Sequence, residues 1–154
     1  MDNLYLEDLR VGQRFVSATH TIDAHQIVAF AAEFDPQPFH LDEEAAMRGP
    51  FSGLAASGWH TAAITMRLLV GGGAPIAGGI VGAGGEIKWT KPTRPGDTLQ
   101  VHTEVTEITP SRSRPDRGIV TLTSETRNQH GEPVQIFVAR IIVPRRSQSG
   151  EASG

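Results

Sequence analysis

Residues 52–70 run almost without a polar face, and this constrains the fold more than any other feature of the chain. Ala55, Ala62, Ala63, Leu68 and Leu69, with Ile64 and Met66, leave little for water to contact. A helix that is apolar nearly all round belongs in an interior, so the remaining chain has to wrap it. Small residues at Gly53, Ala55, Ala56, Ser57 and Gly58 let another backbone come close to its first turns. The run Gly71-Gly72-Gly73 then ends it.

From Gly79 onward the pattern changes from helical to strand-like, with strands expected at 80–90, 98–107, 119–128 and 134–143. Thr98, Gln100, His102 and Glu104 alternate with Leu99, Val101, Thr103 and Val105, as a half-buried antiparallel strand requires. Upstream, residues 9–22 are rich in β-formers and read as a first strand. Asp23 can cap a helix at 24–33, and Asp42 a short one at 41–47. One strand, then helices, then four sequential strands predict an α+β fold: one antiparallel sheet wrapped around a long buried central helix. Neither a linker nor an internal repeat is visible, so residues 1–144 are expected to form a single domain. Residues 145–154 are small and polar, and are expected to be a disordered tail.

Bulk properties exclude several functions. The formal charge of -3 offers no electrostatic case for nucleic acid. The absence of cysteine removes disulfide frameworks, thiolate metal sites and cysteine nucleophiles, and fits a reducing, cytoplasmic setting. The acidic N-terminus has no apolar segment of signal-peptide type, and no apolar run approaches the ~20 residues of a membrane span. The six histidines are scattered without His-Glu-x-x-His spacing, so no metal is expected. The glycines never form Gly-x-Gly-x-x-Gly. Ser57 with His60 lacks the Gly-x-Ser-x-Gly elbow of a serine hydrolase, and His60 is expected to be a satisfied polar residue in the helix packing. Arg112, Arg114 and Arg117, around Pro115, form either a solvated loop or a phosphate contact.

Two features carry chemistry. Asp35-Pro-Gln-Pro-Phe-His40 holds a carboxylate and an imidazole on one proline-stiffened loop. Pro36 and Pro38 fix their own φ and push Asp35 and Gln37 out of the helical region, so an extended path is expected. An acid/base pair needs such preorganisation, although an ordinary polar loop, with Asp35 capping a turn and His40 exposed, has the same composition. Gly58 lies near the start of the apolar helix, where amides are unpaired and the dipole is positive. With no side chain there, a carbonyl oxygen could approach those donors as in an oxyanion hole. Close packing would equally call for a glycine. Trp59 is a core or interface residue by default and a tunnel-lining one otherwise.

Together these features resemble the MaoC-like dehydratases, the (R)-specific enoyl-CoA hydratases of the hotdog fold. The resembling residues are Asp35-x-x-Pro-x-His40-x-Asp42, then Gly53-Leu-Ala-Ala-Ser-Gly58, then Lys91-Pro-Thr-Arg-Pro-Gly-Asp97. The resemblance implies that Asp35 and His40 activate one water, which adds to a trans-2-enoyl thioester to give an (R)-3-hydroxyacyl product. It implies that the Gly58 amide binds the thioester oxygen, with Ser57 and Trp59 beside the substrate. It also implies an acyl-CoA substrate, no cofactor beyond that coenzyme A, and a homodimer or dimer of dimers. Two departures stand out: Gln37-Pro38 where many hydratases have Asn-Pro, and Ser57-Gly58 where many have His-Gly, followed by a bulky Trp59 expected to narrow the acyl pocket. A hotdog thioesterase and a non-catalytic acyl-CoA-binding subunit are the alternatives.

Overall fold

The computed structural model describes residues 3–146. After a 3-10 turn at Leu6–Asp8 come β1 (Arg14–Thr21), α1 (Ala24–Phe34), α2 (Pro38–Leu41), α3 (Glu43–Met47) and α4 (Gly58–Leu68). A π-turn at Leu69–Gly73 follows, then β2 (Val81–Trp89), β3 (Thr98–Pro110), β4 (Arg117–Arg127) and β5 (Pro133–Pro144). The strands form one antiparallel sheet in the order β1-β3-β4-β5-β2, which leaves β1 and β2 as edges. This is the α+β arrangement the alternating pattern predicts.

Alternation is what seats the sheet. β4 switches between half-buried and buried at every residue, and β3 does so over its first eight. Leu99, Val101, Val105, Val120 and Leu122 therefore point one way, into a cluster completed by Ile22 and Ile27 of the N-terminal part and Ile64 and Leu68 of α4. Burying such side chains stabilises by about 1.5–3 kcal/mol each relative to exposure.

Four expectations are corrected. The helix begins at Gly58 rather than at the start of the apolar run. Ser52 and Gly53 have positive φ, and the Ala55 and Ala56 amides donate to the Phe39 and Thr93 carbonyls instead of to helical partners. Arg94 reinforces this by donating to the carbonyls of Phe51 and Leu54. The helix is also buried on one face only: His60, Thr61, Ile64, Thr65 and Leu68 face inward, while Trp59, Ala63, Met66 and Arg67 are exposed. The loop after Asp35 is not extended throughout, because Pro38 opens a single helical turn at the position where its missing amide proton costs nothing. Finally, Arg145 and Arg146 are tied down. The Arg146 guanidinium donates two bonds to Asp8 at 2.8 and 2.7 Å, and the Arg145 amide donates to Asp116 at 2.8 Å. The rest of the expected tail, 147–154, lies outside the described residues.

Strand β2 has little side-chain cover, and glycine lets its neighbour come close. A Cβ on Gly85 would lie 2.4 Å from the Val138 carbonyl oxygen, whereas one on Gly82 would meet nothing within 4 Å. Gly85→Ala should therefore destabilise by about 1–3 kcal/mol through overpacking. Gly82→Ala should be close to neutral. Urea unfolding of the two variants side by side checks the contrast.

Candidate active site

The Asp35 and His40 side chains meet at the junction of α1 and α2. Helix α1 ends at Phe34, and the Asp35 amide still donates to Ala31 at 2.8 Å. After Pro36 turns the chain, the single turn of α2 carries His40 back toward that carboxylate. His40 Nε2 lies 3.4 Å from Asp35 Oδ2, with the two side chains only 6% and 16% exposed. Of the two readings of this loop, the one with an exposed His40 is excluded.

The other ring nitrogen settles the tautomer. His40 Nδ1 is 2.6 Å from the Ala55 carbonyl oxygen. A carbonyl can only accept, so Nδ1 carries the proton and, in the neutral ring, Nε2 presents a lone pair. Phe39 packs edge-on to the ring at 4.6 Å and Phe51 stacks at 6.2 Å. Gln37 Nε2 donates to Asp35 Oδ1 at 2.5 Å. Burial pushes the Asp35 carboxyl up. Donation from Ser57 and Gln37, with the nearby His40, outweighs this and holds its pKa below the ordinary carboxylate value. Asp35 is therefore ionised in neutral solution, and its carboxylate lies against His40 Nε2.

Ser57 sets the start of α4. Its hydroxyl oxygen accepts the Trp59 amide at 3.2 Å, which leaves the hydroxyl proton free to point toward Asp35. The Gly58 amide donates to no acceptor among the described residues. A cavity of about 320 Å³ brings His40 and Gly58 together, with Phe51, Thr61, Trp89 and Lys91 also on its wall. An imidazole backed by a carboxylate, and an unpaired amide at a helix start, therefore face one space large enough for a small acyl group.

The profile of the MaoC like domain matches residues 8–128. The chain belongs to the MaoC-like family. A MaoC-like dehydratase from Rhodospirillum rubrum superposes on it with a TM-score of 0.93 at 65% identity, over 94% of this chain and 99% of that one. The (R)-hydratase PhaJ1 from Pseudomonas aeruginosa superposes with a TM-score of 0.75 at 29% identity, over 94% and 88%. A 3-hydroxybutyryl-CoA dehydratase of Methylorubrum extorquens is 35% identical over 113 residues, covering 72% of this chain and 69% of the relative. The MaoC-like chain has the hotdog fold, its five-stranded sheet wrapped on α4.

Within this MaoC-like frame, two expectations about the helix start change. The space above Gly58 is already filled: a Cβ there would come within 2.5–2.8 Å of the Trp89 ring. Close packing by an indole explains the glycine. Trp59 is 60% exposed, meets Trp89 edge-on at 5.2 Å, and lines a separate apolar cavity instead of the one holding His40. The tryptophan on the wall of the His40 cavity is Trp89, at the end of β2. Its sequence signal was a tryptophan two residues before the Lys91-Pro92 turn. Among the described residues no three His, Asp or Glu side chains come together to hold a metal. Nor is any helix long and apolar enough to cross a membrane.

His60 also departs from expectation. It is buried and stacked on Phe30 at 4.5 Å, but its Nδ1 has no hydrogen-bond partner among the described residues. Desolvation, and then the nearby His20, push its pKa below the ordinary histidine value. The unfolded chain thus binds this proton more readily than the folded one. The resulting stability is complete above the unfolded value of about 6.5 and is lost as pH falls through the folded value. His102 is shifted in the same direction, chiefly by burial. His60→Phe, which keeps the stack, should reduce without abolishing the loss of stability between about pH 7 and 5. Urea midpoints across that range check it, and an unchanged pH dependence would contradict it.

Proposed function

We propose that the chain catalyses reversible hydration of a trans-2-enoyl-CoA to an (R)-3-hydroxyacyl-CoA. The observation that carries this is one cavity shared by His40, with Asp35 behind it, and the Gly58 amide. Water is a poor nucleophile, and the ionised Asp35 paired with His40 offers an acceptor for its proton. As the water oxygen bonds to C3, one proton passes to the pair and the double-bond electrons move toward the thioester oxygen. The Gly58 amide donates to that oxygen as enolate charge develops, helped by the positive end of α4. A proton then returns to C2, giving a neutral product with atoms and charge balanced. Asp35 and His40 are close enough to act as a coupled unit. The names of the relatives, an (R)-hydratase and a 3-hydroxybutyryl-CoA dehydratase, support the same chemistry. A cytoplasmic setting fits the cysteine-free chain.

We also propose a homodimer. Trp59, Met66 and Val70 form an exposed apolar stripe on α4 and the turn after it, near the open edge strand β2 with its exposed Val81 and Trp89. A second copy would cover both. Light scattering should give the mass of a dimer or a multiple of it, and Val70→Glu should shift the population toward monomer. A strictly monomeric wild type would contradict the proposal.

The catalytic reading is tested by the loss of conjugated enoyl absorbance with purified protein. Asp35→Asn and His40→Gln should each lower kcat by about 10²–10⁴-fold in protein that remains folded. Full activity in either folded variant would exclude the assigned pair. Release of free coenzyme A thiol in place of hydration would make the protein a thioesterase, and binding without turnover an accessory subunit.

A further inference from the structure

Trp89 lies between two cavities. On one side is the space of about 320 Å³ that holds His40 and Gly58. On the other is an apolar space of about 650 Å³, walled by Met66, Leu69, Ile80, Leu122 and Phe137 among others. Among the described residues Trp89 alone lines both. Its ring packs directly on Gly58, close enough that even a methyl group there would overlap it. An acyl group whose thioester oxygen rests on the Gly58 amide therefore begins against this ring.

The ring is also held in place from within. Trp89 Nε1 donates to Gln135 Oε1 at 2.9 Å, and Gln135 is 0% exposed. Gln135 Nε2 in turn donates to Thr65 Oγ1 at 3.0 Å. Thr65 gives its own proton to the Thr61 carbonyl at 2.9 Å, so Thr126 donates to it across the 2.5 Å contact between their hydroxyls. Every member of this chain beyond the indole is buried, so no water competes for the bonds. A tryptophan on an exposed edge strand ordinarily samples several rotamers. This one is pinned at the nitrogen from β5 and at the ring face by Gly58 and Trp59.

The geometry points to Trp89 as the residue that sets the length of acyl chain accepted, with Gln135 as the positioning residue that holds it. The inference rests on the acyl-CoA hydratase reading. With the ring in place the His40 cavity ends at the indole and takes short acyl groups. Without it the two cavities merge into one apolar space that takes longer groups.

The test compares kcat/KM for crotonyl-, hexenoyl-, octenoyl- and decenoyl-CoA in wild type, Trp89→Ala and Trp89→Phe. It is paired with calorimetric titration of the matching saturated acyl-CoAs. Wild type should favour crotonyl- over decenoyl-CoA by roughly tenfold or more, and Trp89→Ala should remove or invert that preference. Trp89→Phe, the milder change, serves if the alanine variant does not fold. Gln135→Leu should relax the limit partially, and should leave the length profile of Trp89→Ala unaltered when combined with it. A merely structural role for Gln135 would lower every substrate equally. Turnover with the same length profile in wild type and folded Trp89 variants overturns the inference and leaves the hydratase reading standing. So does a wild type that handles decenoyl-CoA as well as crotonyl-CoA. Binding that discriminates by length and loses that discrimination in Trp89→Ala, without turnover on any substrate, sinks the hydratase reading and upholds the wall. No binding of any acyl-CoA overturns both.

Discussion

The hydrogen bond from His40 Nδ1 to the Ala55 carbonyl is the interaction on which the site depends. It joins the two halves of the chemistry, the loop between α1 and α2 and the strap leading into α4. The strap is held from the other direction too, since the Ala55 amide donates to the Phe39 carbonyl, one residue before His40. With both directions satisfied, the strap cannot slide along α2. One bond thus selects the histidine tautomer, aims Nε2 at Asp35, and fixes how far the Gly58 amide lies from the imidazole. The location of the contact matters as much as its length, because at a buried site an unpaired ring nitrogen or carbonyl is costly. His60 shows the contrast: equally buried but unpartnered at Nδ1, it responds to pH in a way that weakens the fold.

Behind the site, polar groups organise what apolar packing alone would leave adjustable. Thr61 and Thr65 of α4 meet Thr93, Thr126 and Gln135 through buried side-chain bonds. Apolar contacts between α4 and the sheet supply most of the stabilisation, but they are non-directional. The hydroxyl and amide network fixes the helix in rotation and register against the strands. It ends at the Trp89 indole, which links the seating of the helix to the shape of the His40 cavity.

Much of this was legible in the sequence, for reasons that mark where legibility stops. Strands β3 and β4 were readable because their alternation is a direct record of one buried and one half-buried face. Asp35 and His40 were readable because the groups are close in the chain and the prolines between them restrict it. The start of α4 was not, because residues 52–57 have helix-compatible side chains but amides committed to Phe39 and Thr93, partners fixed only by tertiary structure. The one-sided burial of α4 was missed for a related reason, since an apolar stripe on its outer face looks the same as core. The role of Trp89 was hidden by sequence distance: nothing local to β2 shows that its indole lies on Gly58 and is held by Gln135.

The account turns on which nitrogen of His40 bears the proton. Nitrogen-15 NMR of the histidine rings, with His40 assigned by its absence in His40→Gln, reads this directly in the folded protein near neutral pH. A protonated Nδ1 is expected, because the Ala55 carbonyl can only accept. A neutral His40 carrying its proton on Nε2 would break the bond that joins the two halves of the site. It would thereby contradict the arrangement from which the chemistry was derived.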